Sequence, residues 1–332
     1  MRTETMYAIT IADDKRLAWA AVPDPVLKAD EVLIRVHCAA LNRADLMQRA
    51  GDYPPPPGAP DIMGLEVSGQ IEALGEEAAA RSPWHVGDRV CALLGGGGYA
   101  ECAAVKWSHC MPVPAGLSME EAAALPEAYA TAYLNLIYEG NARPGETLLF
   151  TAGGSGLGSA AIPLAKALGL RVITTVTSAK KAQAIADLGA DRIVVTSAES
   201  LADALAEEFR AGRGVDVAID CVGGEAVGQC LPFVNRGARW IMIAALAGNL
   251  TQVDLKNLYV KGIRLIGSTL RSRPDAFKSQ LLAGLVQTVW PLIEQGQLRP
   301  RLYRTLPIQQ AEEAQAILQR SENVGKVVLR VL

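Results

Sequence analysis

The chain has 332 residues, half of them apolar and a fifth charged, with 32 basic against 35 acidic side chains and a formal net charge of −3. That length makes two domains the prior, and that balance describes a folded protein with a large core rather than a disordered one. It lacks the basic footprint of a nucleic-acid binder, no apolar run reaches the roughly 18 residues of a membrane helix, and Met1 to Ile11 has no signal-peptide layout. A cytoplasmic enzyme or scaffold is expected.

The first third reads as β-rich. Glu31-Val-Leu-Ile-Arg-Val-His37 alternates like a half-buried strand, and Ile62 to Leu74, Asp88 to Leu94 and Tyr99 to Val105 read the same way. Asn42 to Arg49 predicts a short helix with Asn42 near its cap, running into Gly51-Asp52-Tyr53 and a rigid loop, Pro54 to Pro57. Ser118-Met-Glu-Glu121 has capping-box spacing and opens an alanine-rich helix interrupted near Pro126. The pattern then changes. Strands at Thr147 to Thr151, Arg171 to Thr175, Arg192 to Val195 and Val215 to Asp220 alternate with helices at Gly156 to Leu168, Ala179 to Leu188 and Leu201 to Ala211. Further strands fit Arg239 to Ala244 and Arg264 to Gly267, and the tail from Pro274 carries two helical stretches and a last strand, Lys326 to Leu332. Such alternation implies a doubly wound parallel sheet in an α/β chain.

The first of these parallel strands ends in Ala152-Gly153-Gly154-Ser155-Gly156-Leu157-Gly158, where a helix begins. Glycines let the backbone turn tightly and approach a pyrophosphate, whose charge meets the free N–H groups of the helix start. Gly153 makes the turn and Gly158 lets helix pack on strand, while Ser155 stands where the commoner fingerprint has its middle glycine. In this strand–turn–helix context the turn predicts dinucleotide binding. An NAD site usually carries Asp or Glu about 20 residues on, yet Val176-Thr-Ser-Ala-Lys-Lys181 has no acid before Asp187. Ser178, Lys180 and Lys181 offer donors to a 2′-phosphate, so NADPH is the expected cofactor. No metal is expected: the six cysteines form no C-x-x-C pair, and only His37, His85 and His109 could join them.

Asn42-Arg-Ala-Asp-Leu46, Gly51-Asp-Tyr-Pro-Pro-Pro-Pro-Gly58, Met63-Gly-Leu-Glu66, Pro126-Glu127-Ala128, the glycine turn, Asp220-Cys-Val-Gly-Gly224, Leu270-Arg-Ser-Arg273 and Asn323-Val-Gly-Lys326 follow one another along the chain. Together they resemble the zinc-independent quinone oxidoreductases of the medium-chain dehydrogenase/reductase superfamily, in particular the zeta-crystallin-like, tumour-suppressor-inducible branch. The resemblance implies a GroES-like catalytic domain built from residues 1–123 and 270–332, with a Rossmann domain at 124–269 inserted between them. Where zinc-dependent members hold catalytic metal, this chain places Asn42, Leu65 and the region of Glu127 and Ala128, which implies hydride transfer without a metal. The resemblance also implies Asn42 and Tyr53 as catalytic residues beside the nicotinamide. Thr131, the Gly153–Gly158 turn, Ser178, Lys181, Val222, Ala245, Leu246, Leu270 and Asn323 match cofactor contacts. Thr196 stands where near relatives carry a Tyr close to the adenine phosphate.

A quinone accepts hydride readily because reduction restores an aromatic ring, so the protein needs mainly to hold ring and nicotinamide face to face. Asn42 through its amide and Tyr53 through its phenol can steady developing oxyanion charge, and Tyr53 can pass a proton. Each has a plainer use, Asn42 as a helix cap and Tyr53 stacked on the proline loop. Glu66 and Glu127 read as partly buried carboxylates bonded to backbone, and Cys221 as a small wall residue. Two other functions fit the same residues: reduction of the double bond of enones or 2-alkenals, and a non-catalytic NADPH-binding structural or RNA-binding role. The acidic balance argues against RNA. Ile241-Met-Ile243 and Leu265-Ile266 belong to the last parallel strands, one of which lies at the sheet edge. No proline or lysine blocks pairing there, which predicts a homodimer unless the loop Gly248 to Asn257 covers the edge.

Overall fold

The computed structural model describes residues 5–332. The chain divides into two compact units, one formed by the residues up to Ala130 together with Arg271–Leu332, the other by Thr131–Leu270.

In the first unit, β1 (Thr5–Ile11) and β2 (Leu17–Pro23) form an antiparallel hairpin. A second sheet takes β3 (Glu31–Ala40), β4 (Glu66–Leu74), β5 (Arg89–Leu93), β6 (Cys102–Lys106) and β7 (Cys110–Pro112). Its spine is β3, which pairs antiparallel with β4 on one side and shares the other between β6 and the last strand of the chain. The expected strand at Ile62 begins only at Glu66, because Gly64 sits at φ +103° and turns the chain. Likewise Tyr99 to Glu101 is irregular, with Ala100 bridging to Ala8 of the hairpin.

In the second unit, β8 (Thr147–Phe150), β9 (Arg171–Val176), β10 (Arg192–Val195), β11 (Val215–Asp220), β12 (Val234–Met242) and β13 (Arg264–Gly267) lie parallel in the order β10-β9-β8-β11-β12-β13. The helices Gly158–Ala167, Ala179–Ala184 and Leu201–Arg210 make the crossovers between the first four of these strands. Such strands are covered on both faces, which is why they read as apolar runs; Leu149, Ile173, Val194, Ala218 and Trp240 are core residues here. The winding runs outward from β8 to β10, then restarts at β11 on the other side of β8. That reversal leaves a crevice beyond the carboxyl ends of β8 and β11.

The chain returns to the first unit through the long helix Asp275–Glu294, then β14 (Leu302–Pro307), the helix Ala311–Gln319 and β15 (Lys326–Arg330). β15 pairs with both β14 and β3, so the core of Val32, Ile34, Val67 and Ile71 is closed by Ile317, Val327 and Leu329 from the far end of the chain. β1, β2 and β14 escape sequence reading because their buried and exposed positions do not alternate cleanly.

Candidate active site

The turn after β8 is bonded to the end of β9: Ala152 N–H donates to Thr175 Oγ1 (2.9 Å) and Gly153 N–H to Thr175 O (2.8 Å). A Cβ on Gly153 would lie 2.3 Å from Thr174 Oγ1, and one on Gly158 would lie 2.5 Å from Gly153 O. Both positions therefore need glycine, the second because the helix start lies against the turn itself. Ser155 Oγ accepts the Gly158 N–H (2.9 Å). The N–H groups of Gly154, Gly156 and Leu157 find no acceptor among the described residues, and they open onto the start of a ten-residue helix. Donors and helix dipole converge there, and the residues fit a pyrophosphate.

Beyond β9, Ser178 caps the helix Ala179–Ala184: its Oγ accepts the Lys181 N–H (3.3 Å), which leaves its own O–H to donate. Lys180 is exposed and Lys181 half-buried, and the first acid, Asp187, is exposed further along. Thr196 is also exposed and its hydroxyl donates to Val176 O (3.2 Å), so it stands beside the end of β9. The loops after β11 and β12 meet at the same edge, where Gly223 bridges Gly248 and Ala247 N–H donates to Val222 O (2.7 Å). Val222 and Ala245 are half-buried there and Leu246 is exposed. Asp220, to which the sequence assigns no role, shapes these loops: it accepts from Thr151 Oγ1 (2.8 Å), Val222 N–H (2.8 Å) and Trp240 Nε1 (3.2 Å). Thr131 lies on the helix Pro126–Tyr133, its carbonyl accepting from Asn135 Nδ2 (2.7 Å) as the helix widens into a π-turn. Leu270 ends the second unit. Asn323, whose amide donates to Gly325 O (2.8 Å), belongs to the first, as do Asn42 and Tyr53.

Asn42 heads the helix Arg43–Ala50, yet its side chain is turned inward. Its N–H donates to Asp45 Oδ2 (2.7 Å), while its amide bridges a buried ion pair: Nδ2 donates to Glu66 Oε1 (2.9 Å) and Oδ1 accepts from Lys326 Nζ (2.8 Å). Chemistry fixes that orientation, since an ammonium only donates and a carboxylate only accepts. Lys326 Nζ also donates to Leu41 O (2.8 Å) and pairs with Glu66, whose other oxygen accepts the Glu127 N–H (2.8 Å). The side chains of Glu66 and Lys326 are 0% and 4% exposed. Glu66 is thus more than a carboxylate bonded to backbone. Asp45 is also buried, taking the Tyr99 hydroxyl on Oδ2 (2.8 Å), and burial raises its carboxyl to about 6. Glu127 is pushed up to about 7, first by burial and then by the charge of Glu66. Asn42, Asp45, Glu66, Glu127 and Lys326 each fall in a segment that carries the family resemblance, but nothing in the sequence shows that they meet.

Tyr53 follows the same helix in the proline loop. It is half-buried, its hydroxyl meets no protein partner among the described residues, and Arg271 covers its ring at 5.1 Å. Burial and Glu127 raise its phenol, and Arg271 opposes them. Cys221 Sγ sits beside Thr151 Oγ1 (3.7 Å). At the positions that the resemblance matches to zinc ligands the chain offers an amide engaged on both atoms, the aliphatic Leu65 and the region of Glu127 and Ala128. No group of three or more His, Cys, Asp or Glu that could hold a metal ion is found among the described residues. That donor set does not fit a zinc ion.

A parallel sheet with a phosphate turn at its switch point, joined to a β-rich unit made from both chain ends, defines a nucleotide-dependent oxidoreductase. The family model described as Alcohol dehydrogenase GroES-like domain matches residues 28–115, and the one described as Zinc-binding dehydrogenase matches 156–286. The quinone oxidoreductase of Mus musculus is 30% identical over 92% of this chain and 90% of its own length. Acryloyl-coenzyme A reductase of Sulfurisphaera tokodaii is 30% identical over 93% and 95%. The Synaptic vesicle membrane protein VAT-1 homolog of Danio rerio is 31% identical over 92% of this chain, which spans only 65% of that relative. Among solved structures, the quinone oxidoreductase of Thermus thermophilus, described also in complex with NADPH, matches with TM-score 0.82 and 30% identity over 98% of this chain and 100% of its own. The chain belongs to the quinone oxidoreductase-like proteins of the medium-chain dehydrogenase/reductase family, with a GroES-like first unit and a Rossmann second unit.

Proposed function

We propose that this chain is an NADPH-dependent reductase that delivers hydride to a quinone without a metal ion. The carrying observation is the open phosphate turn at the switch point, followed after β9 by Ser178, Lys180 and Lys181 with no acid before Asp187. When bound, NADPH supplies the hydride from its nicotinamide. The chain supplies grip and polarity. The N–H groups of Gly154, Gly156 and Leu157 hold the diphosphate, Ser178 and Lys181 meet the 2′-phosphate, and Thr131, Val222, Ala245, Leu246, Leu270 and Asn323 bind along the dinucleotide. In the first unit, the unpaired Tyr53 hydroxyl donates to the quinone oxygen as charge develops, and as general acid supplies its proton. Asn42 has less to give than its amide suggests. One Nδ2 proton is held by Glu66, and the other faces Ala40 O at 3.5 Å.

A second reading, reduction of the double bond of an enone, draws support from the acryloyl-coenzyme A reductase relative and uses the same groups. Assaying NADPH and NADH with a panel of ortho- and para-quinones and enones, after dialysis against a strong chelator, tests all three parts. Quinone turnover with NADPH is expected. Turnover of enones alone moves the substrate to the second reading, equal use of NADH sinks the cofactor assignment, and stoichiometric zinc in the active protein sinks metal independence.

The proposal extends to a cytoplasmic homodimer. All six cysteines are free thiols, as a reducing compartment would keep them, and no helix among the described residues is long and apolar enough to cross a membrane. β13 is the edge of the parallel sheet, with Leu265 44% exposed and Ile266 half-buried, and Leu250 in the preceding loop is itself exposed. Ile266→Lys should give a monomer. A mass near 35.1 kDa for the unaltered protein by light scattering would refute the dimer.

A further inference from the structure

Arg271 opens the second stretch of the first unit and is 5% exposed. Its Nε and Nη2 donate to Gly95 O (3.0 and 2.8 Å), Nη2 also to Gln48 Oε1 (2.8 Å), and Nη1 to Tyr53 O (3.3 Å). Gln48 is buried too, and its Nε2 donates to Asp61 O (2.8 Å), beyond the proline run that follows Tyr53. One guanidinium therefore ties together a helix, the Tyr53 loop and the Gly95 turn. No carboxylate pairs with it among the described residues. An unneutralised buried cation is unfavourable, and a neutral amide could satisfy carbonyls with far less desolvation. What a neutral group cannot supply is positive charge against the face of a phenol.

We propose that Arg271 is a positioning residue for Tyr53: it clamps the loop that carries the tyrosine and holds a positive charge over its ring, readying the hydroxyl to donate. A cation near a phenol favours negative charge on the oxygen, so it makes the O–H a better donor. Glu127 opposes that effect at Tyr53, while at Arg271 the carboxyl groups of Asp45 and Glu127 favour the charge and Lys278 repels it. Lysine cannot replace the arginine, because a point charge cannot span Gly95 O, Gln48 and Tyr53 O at once. The inference rests on the reading of Tyr53 as the group that meets the substrate.

The test replaces tyrosine with fluorotyrosine in the whole protein and follows Tyr53 by fluorine NMR, its signal assigned by loss in Tyr53→Phe. Arg271→Gln, neutral and still a donor, should raise the Tyr53 titration midpoint by about one pH unit. Should that variant fail to fold, Gln48→Ala frees the guanidinium from its helix anchor and should raise the midpoint by less. An unchanged midpoint in either folded variant overturns the proposal and leaves Arg271 a staple. In NADPH-dependent naphthoquinone turnover, Arg271→Lys should lower kcat/KM about tenfold, with little further loss when Tyr53→Phe is added; fully additive losses also overturn it. Unchanged turnover in Tyr53→Phe, with the NMR coupling intact, sinks instead the assignment of Tyr53 to the substrate. The two failures are thereby told apart.

Discussion

The two units build their binding groups by opposite means. In the Rossmann unit the turn offers backbone N–H groups, bared by glycines within a few residues, and Ser178 and Lys181 stand close by in sequence, just after β9. In the GroES-like unit the groups are side chains held by other side chains from distant parts of the chain. Lys326 reaches Asn42 and Glu66 across 284 and 260 residues, and Arg271 reaches Gln48 across 223. The backbone part of such a site tolerates most substitutions except at the glycines that shape it. A side-chain site fails when any one partner is cut.

That contrast is sharpest at the buried ion pair. Lys326→Met leaves the Glu66 carboxylate buried without its counter-charge, which should destabilise the protein by about 3–5 kcal/mol in urea unfolding. The double change Glu66→Leu with Lys326→Met should recover a large part of that loss. A loss under 1 kcal/mol (about fivefold in the folding equilibrium) for the single change would show that the pair holds nothing in place.

Glu127 tests the same cluster through pH. Its folded carboxyl titrates near 7, against 4.5 for the free group, so the folded state keeps a proton that the unfolded chain has released. Stability should therefore fall as pH rises between those two values and stay low above them, by about 3 kcal/mol. Glu127→Gln removes the slope and should be more stable than the parent above pH 7. A parallel pair of stability–pH curves would contradict this.

The Rossmann unit answers to different changes. Lys181→Ala should raise the NADPH KM by about ten- to a hundredfold, the loss of a charged hydrogen bond of about 1.5–3 kcal/mol, while leaving NADH use nearly unchanged. Gly153→Ala drives a methyl against Thr174 and should destabilise by about 1–3 kcal/mol while weakening NADPH binding, read by nicotinamide fluorescence titration. An alanine there that binds NADPH normally would refute the close packing of the turn on β9.

How well each unit could be read from sequence follows from the same contrast. The parallel strands and the phosphate turn are local: period, apolar runs and glycine spacing carry them, so β8 to β11 fall within a residue of expectation. The strand at Ile62 starts late because Gly64 turns the chain there, and β12 begins early at Val234 because that residue pairs with Val215 of β11. Asn42 and Tyr53 are visible in the sequence as residues but not as arrangements. That the Asn42 amide is turned inward depends on Lys326, and that Tyr53 lies under a cation depends on Arg271. Only the folded chain brings these groups together.

The most direct test of the central claim is a single-turnover measurement. The chelator-dialysed protein, loaded with NADPH deuterated at the transferred position, is mixed rapidly with naphthoquinone while the nicotinamide absorbance is followed. The expected result is loss of that absorbance with a primary isotope effect and no dependence on added zinc. No oxidation of NADPH, or oxidation only after zinc is restored, would contradict it.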